Sequence, residues 1–349
     1  MTESPPRFLA RAFQHRLLWP VVTLLLLLAL NAAFNPGFLR LEWRDGHLYG
    51  SLVDILNRAA PLALVALGMT MVIATRGIDI SVGAVVAIAA AVAAWMIGGA
   101  VTPNASRFPL PLALLAALAA ALACGIWNGL LVARIGMQPI IATLILMVAG
   151  RGIAQLVTGG QIITVYYTPF FFLGGGYLFG LPFSVFIVAA LFGLLYLAVT
   201  RTALGLFIQA VGINPTAARV AGVRSRRLVV GAYAFSGLCA GIAGLLISSN
   251  VKSADGNNAG QLLELDAILA VTLGGTALTG GRFSLVGSLI GALIIQTLTY
   301  AIYSLGVPPE INLVVKAVVV FLVMLLQSAE FRSELRAWVQ KPSVHEVRP

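Results

Sequence analysis

ATRGIDISVGAV, residues 74–85, sets Arg76 and Asp79 three residues apart between two apolar runs, in a chain that is 60% hydrophobic and only 10% charged. The runs on either side, 56–75 and 80–98, are each long enough to cross a hydrocarbon core of about 30 Å. The charged stretch therefore reads as the turn between two membrane spans. Glycines at 77 and 83 permit a tight reversal, and Asp79 or Ser81 can cap the helix that follows. Asp79 at that helix start is favoured by the dipole, and Arg76 either marks the membrane face or pairs with Asp79.

The pattern recurs along the chain. Apolar stretches of span length fall at 17–34, 56–75, 80–98, 110–133, 139–158, 182–200, 229–249, 263–279, 285–305 and 311–328. The mean hydropathy of +0.98 agrees, because a soluble domain of 349 residues could not cover its surface with so few polar groups. The expected fold is an all-α polytopic membrane protein of about ten transmembrane helices, spanning 17–328, with tails at 1–16 and 329–349. The run LLWPVVTLLLLLALNAAF at 17–34 ends in no clear cleavage site and reads as an uncleaved first span.

Orientation follows from positive charge in short connectors. With the N-terminus in the cytoplasm, fifteen of the 22 lysines and arginines fall inside, five outside and two within spans. Both termini are then cytoplasmic. The net charge of +10 reads as topology, and no nucleic-acid partner is expected.

Catalytic chemistry is not apparent. His15, His47 and His345 form no metal pattern, Cys124 and Cys239 lie within apolar spans as packing residues, and no glycine-rich loop precedes a lysine as a nucleotide site would require. Any ATP and its Mg are expected on a separate chain. Asp79, Glu264, Asp266 and Glu310 fall near expected span ends, which disfavours a gradient-driven carrier with midplane carboxylates. Arg151, in MVAGRGIAQL, is the deepest charge; it pairs within the bundle, snorkels, or lines the pathway. Lys316 reads as a snorkelling residue.

The longest connector, 201–228, holds TALGLFIQAVGINPTAARVAGVRSRR at 202–227. Asn214 is a candidate N-cap, Pro215 fits the first turn and Gly222 fits the end, giving a two-turn helix between spans. Ala217, Ala218 and Ala221 offer a small surface with Val220, while Arg219 points elsewhere. That surface either docks a partner or is an ordinary loop helix.

ALGLFIQAVGINPTAARVAGV, 203–223, resembles the cytoplasmic coupling segment of ribose-type sugar importers of the ATP-binding cassette class. RGIDISVG, 76–83, is similar to their GGIDLSVG segment, with Arg76 in place of a glycine. LNRAAPLALVALGMTMVIATRGIDISVGAV, ATLILMVAGRGIAQLVTGGQIIT and NNAGQLLELDAILAVTLGGTALTGGRF extend the likeness over nearly the whole chain and most resemble galactofuranose-type permeases.

The resemblance implies a non-enzymatic permease subunit in the bacterial inner membrane. Its implied partners are a cytoplasmic ATPase, a second permease subunit and a periplasmic sugar-binding protein. Gly212, Asn214, Pro215, Ala217, Ala218, Arg219 and Gly222 would meet the ATPase, Ala218 at the contact itself. Gly77, Asp79, Ser81 and Gly83 carry the second motif. Asn128, Gln138, Thr143, Arg151, Gln155, Gln296 and Asn312 are candidate pathway groups, each with buried interhelical bonding as the alternative. A branched-chain amino-acid permease of the same class and an ATP-independent carrier remain as other readings. LGMT (67–70) with SVGAV (81–85) is echoed by LGGT (273–276) with VGSLI (286–290), as a duplicated half would be.

Overall fold

The computed structural model describes residues 17–44, 46–98, 104–306, 308–327 and 331, and in it the chain runs back and forth as helices joined by short connectors. α1 (Leu18–Phe34) leads into a hairpin of β1 (Glu42–Arg44) and β2 (His47–Tyr49), then α2 (Ser51–Ala74), α3 (Val82–Ile97) and α4 (Leu110–Leu130), which closes in a π turn, Leu131–Ile135. α5 (Pro139–Thr158), β3 (Ile163–Thr164), α6 (Thr168–Gly175), β4 (Tyr177–Leu178), β5 (Leu181–Pro182) and α7 (Phe183–Arg201) follow. α8 (Leu204–Ile213) and α9 (Pro215–Val220) precede α10 (Ser225–Val251), β6 (Ser253–Ala254), α11 (Leu263–Leu273), α12 (Leu285–Ser304) and α13 (Pro309–Gln327).

Six of these are long and apolar enough to cross a membrane: α2, α4 with its π turn, α5, α7, α10 and α12. The chain is a multi-pass membrane protein. α2 and α3 are buried almost all round, while α4, α5 and α7 leave Leu115, Val148, Leu156 and Leu194 exposed for lipid. Small residues explain the centre, since helices in lipid gain by close van der Waals approach more than by water exclusion. A Cβ at Gly237 of α10 would meet the Ala121 carbonyl of α4 at 2.5 Å, so the two helices touch through bare backbone.

The two ends of the bundle differ. One carries the hairpins β1–β2 and β4–β5 and the long-range pair β3–β6, all antiparallel, with His47 stacked on Tyr177 at 4.4 Å between ring centroids. The other, here the connector end, carries the loops after α2, α8 and α11. Arg76, Arg134, Arg201, Arg219, Arg224, Arg226, Arg227 and Arg282 lie toward the connector end, and Arg40, Arg44, Arg58, Arg107 and Lys252 toward the hairpin end. This is the sorting of charge that the connector count implied.

Several expectations are altered by the structure. The stretch 263–279 is not one span: α11 stops at Leu273, after 11 residues, and the glycine-rich 274–284 continues as loop with Gly275, Gly280 and Gly281 at positive φ. The connector 201–228 holds a second helix beside the expected one, for α8 is apolar and buries Ile208 and Val211. Asp79 lies between the end of α2 and the start of α3, as expected, but it is buried, at 1% exposed. Its Oδ2 accepts from the Ser236 hydroxyl of α10, which holds the carboxyl inside the bundle. The internal echo does not extend to helix length, for α2 has 24 residues and α11 has 11. The tails at 1–16 and 329–349 lie outside the described residues, Phe331 apart.

Candidate functional site

Three connectors meet at the connector end, held by Arg76. This residue takes φ 65 at the end of α2, and its guanidinium reaches both of the other loops: Nη2 donates to the Ile213 carbonyl at 2.6 Å and Nε to the Thr279 carbonyl at 3.2 Å. The Gly281 amide donates to the Ala74 carbonyl at 2.9 Å. Gly212 lets α8 come against this junction, since a Cβ there would collide with the Ala74 carbonyl and the Gly281 nitrogen. The Arg76–Asp79 pair that the sequence allowed is not made, because Arg76 is taken up by these loop carbonyls and Asp79 by Ser81 and Ser236.

α9 forms as its sequence reads. The Asn214 side chain accepts from the amides of Thr216 and Ala217, both at 3.0 Å, Pro215 fills the first turn, and Gly222 ends the helix at φ 86. Its rotation differs from expectation. Ala218 is 5% exposed and packs on its own chain, whereas Val220 is 86% exposed beside exposed Ile213, Ala217 and Ala221. The face open to a partner therefore centres on Val220. Arg219 is also exposed.

Between α2 and α3, residues 77–81 pass through non-helical backbone that the bundle largely encloses, with Gly77, Asp79 and Ser81 buried, a setting in which such backbone is tolerated. Asp79 Oδ1 accepts from the Ser81 amide at 3.1 Å and the Ser81 hydroxyl at 2.6 Å, and Oδ2 accepts from the Ser236 hydroxyl at 2.9 Å. A buried carboxyl needs such donors, because its oxygens have left water behind. Asn128 donates to the Ser81 hydroxyl at 2.8 Å, Thr143 to the Ile78 carbonyl at 3.4 Å and Tyr233 to the same carbonyl at 3.3 Å. Asn128 and Thr143, read as candidate pathway groups, thus hold the RGIDISVG turn. Gly77 lies against the Tyr233 hydroxyl.

Gly83 brings two interrupted helices together. A Cβ on it would strike the Glu264 carboxylate and the Gly260 carbonyl, so α3 and α11 begin side by side only with glycine there. The loop leading into α11 is pinned by Arg151, which donates to the Ala259 carbonyl at 2.6 Å, and by Gln155, which donates to Asn257 Oδ1 at 2.5 Å. Arg151 takes the bonding-within-the-bundle role. Lys316 pairs with Asp266 at 2.6 Å and does not snorkel. Gln138 is exposed before α5, Gln296 borders a cavity between α2 and α12, and Asn312 falls on α13 with its side chain outside the described residues.

Ser236 and Tyr233 are residues that the sequence reading passed over, and Glu264 was read only as a carboxylate near a span end. A serine and a tyrosine inside the apolar run of α10 carried the same signal that singled out Asn128 in α4.

Residues 51–324 match the family described as branched-chain amino acid transport system / permease component. The chain is 51% identical over 328 residues to the galactofuranose transporter permease protein of Escherichia coli, covering 93% of this chain and 94% of that one. It is 38% identical to the fructose import permease protein of Bifidobacterium longum (93% and 91% covered) and 37% identical to the ribose import permease protein of Bacillus subtilis (88% and 92%). No solved structure matches the chain.

Proposed function

The chain belongs to the branched-chain amino acid transport system / permease component family, and we propose that it is the permease subunit of an ATP-binding cassette importer for a monosaccharide, galactofuranose or a similar sugar. The observation that carries this reading is 51% identity, over nearly the full length of both chains, to a permease named for galactofuranose. In this reading the chain crosses the bacterial inner membrane about ten times with both termini in the cytoplasm. It pairs with a second permease subunit and receives sugar from a periplasmic binding protein. The connector end, richer in arginine, faces the cytoplasm. A separate ATPase there binds ATP and Mg.

The motion would enter through α8 and α9. ATP-driven closure of the ATPases moves these helices, and Arg76, bonded to the last carbonyl of α8, carries the displacement to the turn that holds Asp79. Because each ATPase state contacts the exposed face of α9 differently, the permease is biased between outward- and inward-facing forms. The family description favours a second reading, a branched-chain amino acid as cargo. The sugar names of the near-full-length relatives favour the first.

The test is reconstitution of the chain with its ATPase and binding protein in liposomes. Uptake of tritiated galactose, which supplies the furanose form at equilibrium, should require both ATP and the binding protein. Uptake of leucine in its place would establish the second reading, and uptake driven by a pH or sodium gradient without ATP would exclude both.

A further inference from the structure

Between α2 and α12, toward the hairpin end, lies a cavity of about 440 Å³ bordered by polar side chains. Asp54 and Arg58 stand one turn apart on α2, both exposed, and among the described residues neither forms an ion pair. Gln296, Thr299 and Tyr303 border the cavity from α12. Tyr300 is already engaged, its hydroxyl donating to Ser51 Oγ at 2.7 Å, and so fixes one wall.

Depth makes this arrangement informative. Arg58 lies about 10 Å from the start of α2 and Gln296 about 12 Å from the end of α12, at 1.5 Å per residue. Each lies about two turns inside a helix long and apolar enough to cross a membrane. An uncompensated charge facing lipid at such a position is costly, and ionisable groups within membrane segments face a bundle interior or a water-filled path. Among the described residues, the bundle leaves Asp54 and Arg58 exposed. Water and a passing polar solute can cover them.

We propose that this cavity is the outer vestibule of the transport pathway and a subsite for the ring hydroxyls of a monosaccharide. The inference rests on the sugar-importer reading and extends it to named residues. Neighbouring sugar hydroxyls each offer one donor and lone pairs. Asp54 accepts, Arg58 presents a fork of donors, Gln296 and Tyr303 can do both, and Thr299, whose hydroxyl donates to the Ile295 carbonyl at 2.9 Å, can accept, so the lining matches a polyol around its edge. The isobutyl group of leucine would desolvate the same five groups without replacing their bonds.

The experiment uses the complete importer in liposomes, with tritiated galactose and tritiated leucine as separate probes. Arg58→Met and Gln296→Leu should each lower galactose taken up per ATP hydrolysed at least tenfold. In a background with Cys124 and Cys239 replaced by alanine, Thr299→Cys should react with a membrane-impermeant maleimide added from the hairpin side. Galactose uptake by both variants at the wild-type ratio overturns the subsite, and failure of Thr299→Cys to react overturns the open vestibule. A wild-type importer that carries leucine and not galactose fails at the earlier reading, and the sugar subsite falls with it.

Discussion

The Arg76 guanidinium donates to the backbone carbonyl of Ile213, 137 residues along the chain, at 2.6 Å. Ile213 directly precedes Asn214, the cap of α9, while Asp79 lies three residues beyond Arg76 in the core, so one side chain joins the exposed helix to the buried turn. A hydrogen bond from a charged donor contributes about 1.5–3 kcal/mol. Arg76→Gln should leave the ATPase attached but lower sugar uptake per ATP about tenfold, measured in liposomes. Arg76→Lys, which lacks the planar fork needed to reach Ile213 and Thr279 together, should fall between the two.

Asp79 stability is separable from transport. Asp79→Ala strands the buried hydroxyls of Ser81 and Ser236 and the Ser81 amide, at about 1–3 kcal/mol for each group left unpaired. Asp79→Asn keeps one oxygen acceptor, and its amide can donate to the Ser236 hydroxyl. The melting temperature of the purified permease in detergent should therefore drop by several degrees for alanine and by much less for asparagine. Equal drops would mean that the ionised carboxylate itself is what the core requires.

Gly212→Ala should destabilise the connector end. The added methyl meets the Ala74 carbonyl and the Gly281 nitrogen, both backbone, so no side chain can rotate away. Overpacking of this kind costs about 1–3 kcal/mol. Gly152→Ala on α5 is the comparison, since nothing lies within 4 Å of the point its methyl would occupy and alanine is the better helix former. Proteolysis of the 203–223 segment should accelerate in the first variant and not in the second.

Much of this was legible from residue order. Span-length apolar runs, the cap Asn214 and the stop Gly222 act through local chemistry, and local chemistry reads directly. What did not read was burial and rotation. RGIDISVG looks like a surface turn because charge and glycine are usual there, yet Asp79 is carried inward by contacts with Ser236 and Asn128, which lie far along the chain. Likewise a six-residue helix such as α9 has no hydrophobic period long enough to reveal that Ala218 faces home and Val220 faces out.

Orientation can be tested at two positions that the structure leaves open. Val220 and Phe179 are each 86% exposed and lie at opposite ends of the bundle. With Cys124 and Cys239 replaced, Val220→Cys should react only from the cytoplasmic side of oriented vesicles and Phe179→Cys only from the other. The reverse pattern would invert the assignment of ends, and reaction of both from one side would be incompatible with the bundle as folded.

The rotation of α9 yields the sharpest separation between folding and docking. Val220 projects into solvent, so Val220→Glu should leave the permease intact: no neighbour is displaced, and glutamate has good helix propensity. If the ATPase covers this face, the new charge is desolvated without a partner, which costs several kcal/mol, and even about 2.8 kcal/mol is a hundredfold in association. Ala218→Glu acts on the other side of the same helix. There the carboxylate is driven into the chain's own packing, so the permease itself should lose yield and thermal stability before any partner is added. The expected pair of results is a stable Val220→Glu permease that no longer retains the ATPase on co-purification, beside an Ala218→Glu permease that is poorly folded. A Val220→Glu complex that assembles and transports normally would remove α9 from the ATPase contact and move the search to the exposed backbone around Thr279 and Arg282.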